Sequence, residues 1–226
     1  MKRIIDLTHP IQEHWRINFK SEIVSHWSEE HKWQKTGYYL ESQWGTHIDF
    51  PVHHALGAPD SNDFPIEDWA FSTALVLDFS NIGDEVGITS EMLEKANEPF
   101  KDRHFNTLLI RTDRPKHVSY DSYEYWDTSP WVTEDGGQWL LDYKPKVVGF
   151  DFPQDYEIRK LRHLPPGTDT YQPVHDLVLI KGNILMIEYM TNLWEIKSPI
   201  CEFVSLPLNT QHTDGSQVRC VAIVED

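Results

Sequence analysis

The sequence predicts an α/β fold in which a mostly β core carries a few short helices, and three observations predict it. Short apolar runs bounded by turn formers recur along the chain, helical signals are few and brief, and no repeat, low-complexity tract or linker divides residues 1–226. A length of 226 residues supplies one sizeable core, so a single domain is expected.

Taken in chain order, Ala74 to Phe79, Thr107 to Arg111, Lys146 to Phe150 and Asn183 to Glu188 read as buried strands, because each is a run of about strand length rich in branched apolar residues. Asp176 to Ile180, Phe203 to Leu208 and Val218 to Val224 read the same way, and Thr213-Asp214-Gly215-Ser216 supplies a turn between the last two. Thr89 or Ser90 caps a short helix over Glu91 to Ala96, and Thr133-Glu134-Asp135 places acids in the first turn of another that includes Gln138 to Asp142. The stretch from Thr112 to Pro130 is polar and aromatic, and Pro153 to Pro173 carries four prolines; both read as irregular excursions of the kind that line sites.

Composition narrows the function. The formal net charge of −16 repels phosphate backbones and anionic lipid, so neither nucleic acid nor a membrane is an expected partner. Asp6 and His9 interrupt the opening before a signal-peptide core develops, and no apolar run approaches the roughly 18 residues of a membrane span. Cys201 and Cys220 form neither a disulfide framework nor a zinc-ribbon spacing, so a cytoplasmic location is expected. Nine tryptophans are many for this length. Trp15, Phe19, Trp27 and Trp44 could line an aromatic pocket, although packing accounts for each at least as well.

The segment from Gly45 to His53 carries the clearest chemistry. In an extended chain alternate side chains share a face, so His47 and Asp49 point one way while Ile48, Phe50 and Val52 point the other. An imidazole and a carboxylate spaced in this way can converge on one ion, yet a histidine beside an aspartate is more often a hydrogen-bonded pair. On the same reading His54 falls opposite His53 and is a packing or surface histidine, and His14, His26, His31, His104, His117, His163 and His212 have no motif spacing that argues for chemistry.

In order, Gly45-Thr46-His47-Ile48-Asp49-Phe50-Pro51-Val52-His53 resembles the motif of the cyclase-like metal-dependent hydrolase family of kynurenine formamidase and isatin hydrolase type. The resemblance extends to Ile4 to Ile11, Val147 to Pro153, and the His175, Glu188 and Asn192 region, with Leu206-Pro207-Leu208 and Asp214-Gly215-Ser216 near the end. It implies a swivelling or barrel-like β core with peripheral helices, a homodimer or higher homo-oligomer, and a divalent cofactor, zinc or manganese. Position by position it implies that His47, Asp49, His175 and Glu188 are metal ligands, with Glu188 also counted in the catalytic set, and that His53 is the general acid/base. Gln43 stands where the two-zinc formamidases have histidine; an amide oxygen is a much weaker zinc ligand, so Gln43 is a secondary metal candidate and one ion is favoured.

The activity this implies is hydrolysis of an amide, cyclic amide or ester bond in a small aromatic substrate by a metal-activated water. A cyclase or lyase using the same ion is the alternative, separable by whether solvent oxygen enters the product. A non-catalytic metal- or ligand-binding protein ranks third, since a structural site would favour cysteines at fixed spacing.

Overall fold

The computed structural model describes residues 1–16, 19–165, 167–168 and 170–225. Ile17 and Asn18 of the Trp15 to Trp44 segment, and Pro166 and Asp169 of the proline-rich excursion, lie outside the described residues. In chain order the elements are β1 (Lys2–Asp6), β2 (Lys20–Ser25), β3 (Lys35–Tyr39), β4 (His47–Asp49), β5 (Phe71–Asp78), β6 (Gly87–Ile88) and α1 (Ser90–Asn97). They continue with β7 (Thr107–Arg111), α2 (Arg114–His117), α3 (Tyr123–Asp127), β8 (Trp131–Val132), α4 (Glu134–Tyr143) and β9 (Val147–Phe150). The chain ends with β10 (Leu185–Glu188), β11 (Ile200–Pro207) and β12 (Gly215–Glu225).

An eight-stranded sheet in the order β1-β12-β11-β5-β7-β9-β10-β4 forms the centre, and a further pairing of β4 with β12 closes it into a barrel. Closure depends on the length of β12. Its first residues, Gly215 to Gln217, pair with Asp49 to His47, while Val221 to Glu225 pair with Asp6 to Lys2, so β4 and β1 share one edge of β12 and β11 takes the other. The β5-β7-β9-β10 portion is parallel and the remaining pairings are antiparallel. Strands β2 and β3 form a separate ribbon.

The parallel strands are covered on both faces, and for that reason they read as continuous apolar runs. Inward-facing Leu109, Ile48, Ile187 and Phe203 pack with Leu7 and Cys220 inside the barrel. Outward-facing Leu108, Ile110, Val148 and Met186 pack against Leu93 of α1, Leu140 of α4 and Val178. Both main helices are capped by threonine: Thr89 Oγ1 accepts from Met92 N at 3.3 Å and Thr133 Oγ1 from Gly136 N at 3.3 Å. Asp135 ties the two helix starts together by accepting from both the amide and the hydroxyl of Ser90. Among the described residues no helix is long and apolar enough to cross a membrane.

Two expectations need correction. Residues 176–180 are not a strand but part of a π-helical turn, His175–Lys181, whose Val178 and Leu179 bury against the outer face of the sheet. A short apolar run fits a buried helix as well as a buried strand, and here packing against the sheet decided between them. The extended segment around the motif is also shorter than expected. Strand β4 ends at Asp49 and Pro51 opens a 3₁₀ turn over Pro51–His53, as its fixed φ favours.

Candidate metal centre

Sheet register assembles the centre. Within β4 the alternation sends Ile48 into the barrel and turns His47 and Asp49 outward, toward the layer that holds the π-helical turn. Glu188, directly opposite His47 on β10, projects on that same face. One ligand atom each from His47, Asp49 and Glu188 lies within 4.8 Å of the others, and all three residues are buried. His47 Nε2 is 3.3 Å from Asp49 Oδ1 and 3.6 Å from Glu188 Oε2. His175, at the head of the π-helical turn, brings its Nε2 to 3.3 Å from Glu188 Oε1 and 3.8 Å from Asp49 Oδ2.

The far side of each imidazole is held. His47 Nδ1 lies 2.9 Å from Gly45 O, a donor contact that leaves Nε2 toward the carboxylates. His175 Nδ1 lies 2.7 Å from Asp155 Oδ2, and the same carboxylate accepts from Val174 N at 2.8 Å and His175 N at 3.3 Å, fixing the start of the turn. Gln154 donates its side-chain amide to Glu188 Oε1.

These residues fit a divalent cation. His47 Nε2 and both carboxylate oxygens of Asp49 are buried without a hydrogen-bond partner among the described residues, an arrangement that is costly unless a cation satisfies it. Ligand atoms about 2.1 Å from a tetrahedral ion stand about 3.4 Å apart, close to the 3.3 Å and 3.6 Å separations about His47 Nε2. The electrostatics agree. Burial alone would lower the His47 pKa, yet Asp49 and Glu188 raise it to about 9. His175 is likewise raised well above its ordinary value against the effect of burial, by Asp155 and Glu188. Glu188 is pulled below the carboxylate range despite its burial, by His175 and His47. A field that favours imidazolium favours a bound cation on the same grounds.

His53 stands at the rim, half-buried, with Nδ1 3.2 Å from Asp214 Oδ2. Asp214 is held below its usual pKa, first by the hydrogen bond from His53 and also by those from Ser42 and Gln43. Gln43 donates its amide to Asp214 Oδ2 at 3.2 Å, so it is brought to the site on the His53 side. The structure therefore brings all six sequence candidates to one place.

His54 is the residue that the extended reading misplaced. Because the chain turns at Pro51, His54 stacks on His175 at 4.1 Å between ring centroids and joins His53 and His175 in a second cluster of ligand atoms. Burial, reinforced by the neighbouring His175 and His53, lowers its pKa to about 3. Asp155 and Gln154 are single polar residues with no periodic signal in the sequence, and Asp214 is marked there only by its turn and by the resemblance of Asp214-Gly215-Ser216; for His54 the turn-forming proline is the one clue.

Beside the cluster opens a cavity of about 520 Å³, bordered by His47, His175 and Glu188 and, further out, by Arg16, Ile158 and Leu161. The excursion after Pro153 thus contributes walls, as expected. Of the four aromatic candidates, Trp15 packs against Tyr123 and Trp126, Trp44 is fully buried, Phe19 lies 6.1 Å from Trp44, and Trp27 is exposed. None of the four is among the described residues that border this cavity.

Comparison with known proteins places this geometry. The chain is 26% identical over 195 residues to cyclase-like protein 1 of Oryza sativa subsp. japonica, covering 81% of the chain and 62% of the rice protein. It thus spans about three-fifths of the length of the rice proteins it matches. It is 22% identical to the kynurenine formamidase of Bordetella petrii, with 98% of each chain covered. Isatin hydrolase A from Labrenzia aggregata, solved bound to benzyl benzoate, shares the fold with a TM-score of 0.77 at 21% identity, covering 100% of this chain and 94% of that one. The family profile described as putative cyclase matches residues 5–154, about two-thirds of the sequence, and on that match the chain belongs to the putative cyclase family.

Proposed function

We propose that this chain is a metal-dependent hydrolase that cleaves an amide, cyclic amide or ester bond of a small aromatic substrate. The observation that carries the reading is the buried set of His47, Asp49 and Glu188, joined by His175, with unpartnered polar atoms converging beside a cavity. Membership of the putative cyclase family, and likeness to a kynurenine formamidase and to isatin hydrolases, support the bond type.

A divalent ion, zinc or manganese, held by His47, Asp49, Glu188 and His175, would polarise the scissile carbonyl and lower the pKa of an attacking water. His53 takes the proton from that water and returns it to the departing nitrogen or oxygen, an imidazole being suited to both directions near neutral pH. Asp214 orients His53 through Nδ1, as a carboxylate partner does for a catalytic histidine. Gln43, engaged with Asp214 and offering only an amide, favours one ion per site. The reading also takes residues 1–226 as one catalytic domain of a cytoplasmic homodimer or larger homo-oligomer.

The test is hydrolysis of isatin, an N-formyl aromatic amine and an aryl lactone in ¹⁸O-labelled water by protein loaded with zinc or manganese. Metal-dependent turnover that places one labelled oxygen in the acid product supports the hydrolase. Turnover without label would move the chain to cyclase or lyase chemistry, and no turnover with any loaded ion would overturn the reading.

A further inference from the structure

Arg16, in the segment between β1 and β2, borders the cavity beside the metal cluster. Its guanidinium carbon lies 4.3 Å from the centroid of Trp126, whose ring is 4.8 Å from Tyr189, whose ring in turn is 5.6 Å from His47. Trp126 and Tyr189 are buried, so a fixed aromatic floor runs from the guanidinium to the candidate ligands. Elsewhere Arg111, Arg114, Arg162 and Arg219 each meet a carboxylate, whereas among the described residues no carboxylate pairs with Arg16.

Among the described residues that border the cavity Arg16 is the one arginine or lysine, so it is the side-chain guanidinium or ammonium group there that can meet an anionic group of a ligand. A guanidinium stacked on an indole keeps its N–H edge free, and that planar fork matches the two oxygens of a carboxylate. A volume of about 520 Å³ accommodates a one- or two-ring molecule. Ile158 and Leu161 supply apolar wall for its ring.

From this placement we infer that Arg16 is a specificity-determining residue that anchors a carboxylate on an aromatic ligand whose amide or ester carbonyl reaches the metal cluster. The inference rests on the hydrolase reading for the identity of the reacting carbonyl, but the anchoring itself is a binding property. Substrates bearing a carboxylate away from the scissile bond are therefore preferred over neutral analogues.

Two probes that differ only in that group, 3-carbamoylbenzoate and benzamide, test it by calorimetric titration of the metal-loaded protein. The wild-type chain is expected to bind 3-carbamoylbenzoate about tenfold or more tightly than benzamide, as one charge-assisted pair in a partly solvated site allows. Arg16→Gln should abolish that ratio, and Arg16→Lys, which keeps the charge but not the fork, should reduce it severalfold. A wild-type protein without the preference, or an Arg16→Gln variant that keeps it, overturns the inference. Should Arg16→Gln lose its cooperative melting transition, Arg16→Lys decides, and an unchanged ratio in that variant is equally fatal. Neither readout needs turnover: failed hydrolysis with the preference intact strikes only the hydrolase reading, and hydrolysis with no Arg16-dependent preference strikes only this inference.

Discussion

Replacing Asp155 by asparagine separates the support of the metal centre from the centre itself. In the wild-type chain one carboxylate accepts from Val174 N at 2.8 Å, from His175 N at 3.3 Å and from His175 Nδ1 at 2.7 Å, all in a fully buried setting. Asparagine keeps the shape but offers one oxygen, so its NH₂ must face a donor. Leaving a buried donor unpaired costs about 1–3 kcal/mol, and the remaining bonds lose charge assistance, so a total of about 2–4 kcal/mol of fold stability is expected to go. His175 also loses the partner that orients it, and partners of this kind typically contribute about 10–100-fold to metal affinity. Thermal melting of the metal-free protein reads the first quantity, and titration against a competing chelator reads the second. Metal affinity within about twofold of wild type, in a variant that still folds, would refute the view that Asp155 aims His175 at the ion.

Other expectations follow from the same geometry. His53→Ala should retain its metal content while turnover falls on the order of 10²-fold, as loss of a general acid/base does; equal turnover would remove His53 from the proton path. Metal binding should release protons, because in the metal-free fold His47 is held up to about 9 and His175 also above its ordinary value, while the ion needs both imidazoles neutral. Affinity should therefore climb by about tenfold or more per pH unit up to about pH 9, and a flat profile in chelator competition would contradict the pairing. Without metal, the stability that the raised His47 contributes is fully present below about pH 6.5 and lost as pH rises through about 9, so the two forms should diverge in melting temperature across that window. Gly215→Ala should cost about 1–3 kcal/mol by overpacking, since a Cβ would stand 2.9 Å from Ile48 O and closer still to the Gln43 amide. Unchanged melting there would show that the junction of β4 and β12 has more slack than its register suggests.

Much of this arrangement was legible in the sequence for identifiable reasons. Alternation around Ile48 placed His47 and Asp49 on one face, and β4 keeps that alternation. The runs that became β5, β7, β9 and β10 were readable because a parallel sheet covered on both sides leaves an uninterrupted apolar signature. Thr89 or Ser90 as a cap, and acids in the first turn after Thr133, announced the two helices. What failed to show was decided by tertiary contact. Leu177 to Ile180 carries no period, so only packing on the sheet could select the π-helical turn. His54 reached the site because the three residues Pro51–His53 wind into a 3₁₀ turn, and Asp155, Gln154 and Arg16 arrive from irregular chain whose path no local pattern encodes.

Metal content per chain, measured on protein purified without chelator and run beside His47→Ala, tests the central claim most directly. About one equivalent of a divalent ion in the wild-type chain, lost in the variant, is the expected result, because removing one protein ligand from a four-ligand site weakens binding directly. Full occupancy in His47→Ala, or no ion in the wild-type chain even after reconstitution, would contradict the assignment of His47, Asp49, Glu188 and His175 as a metal centre.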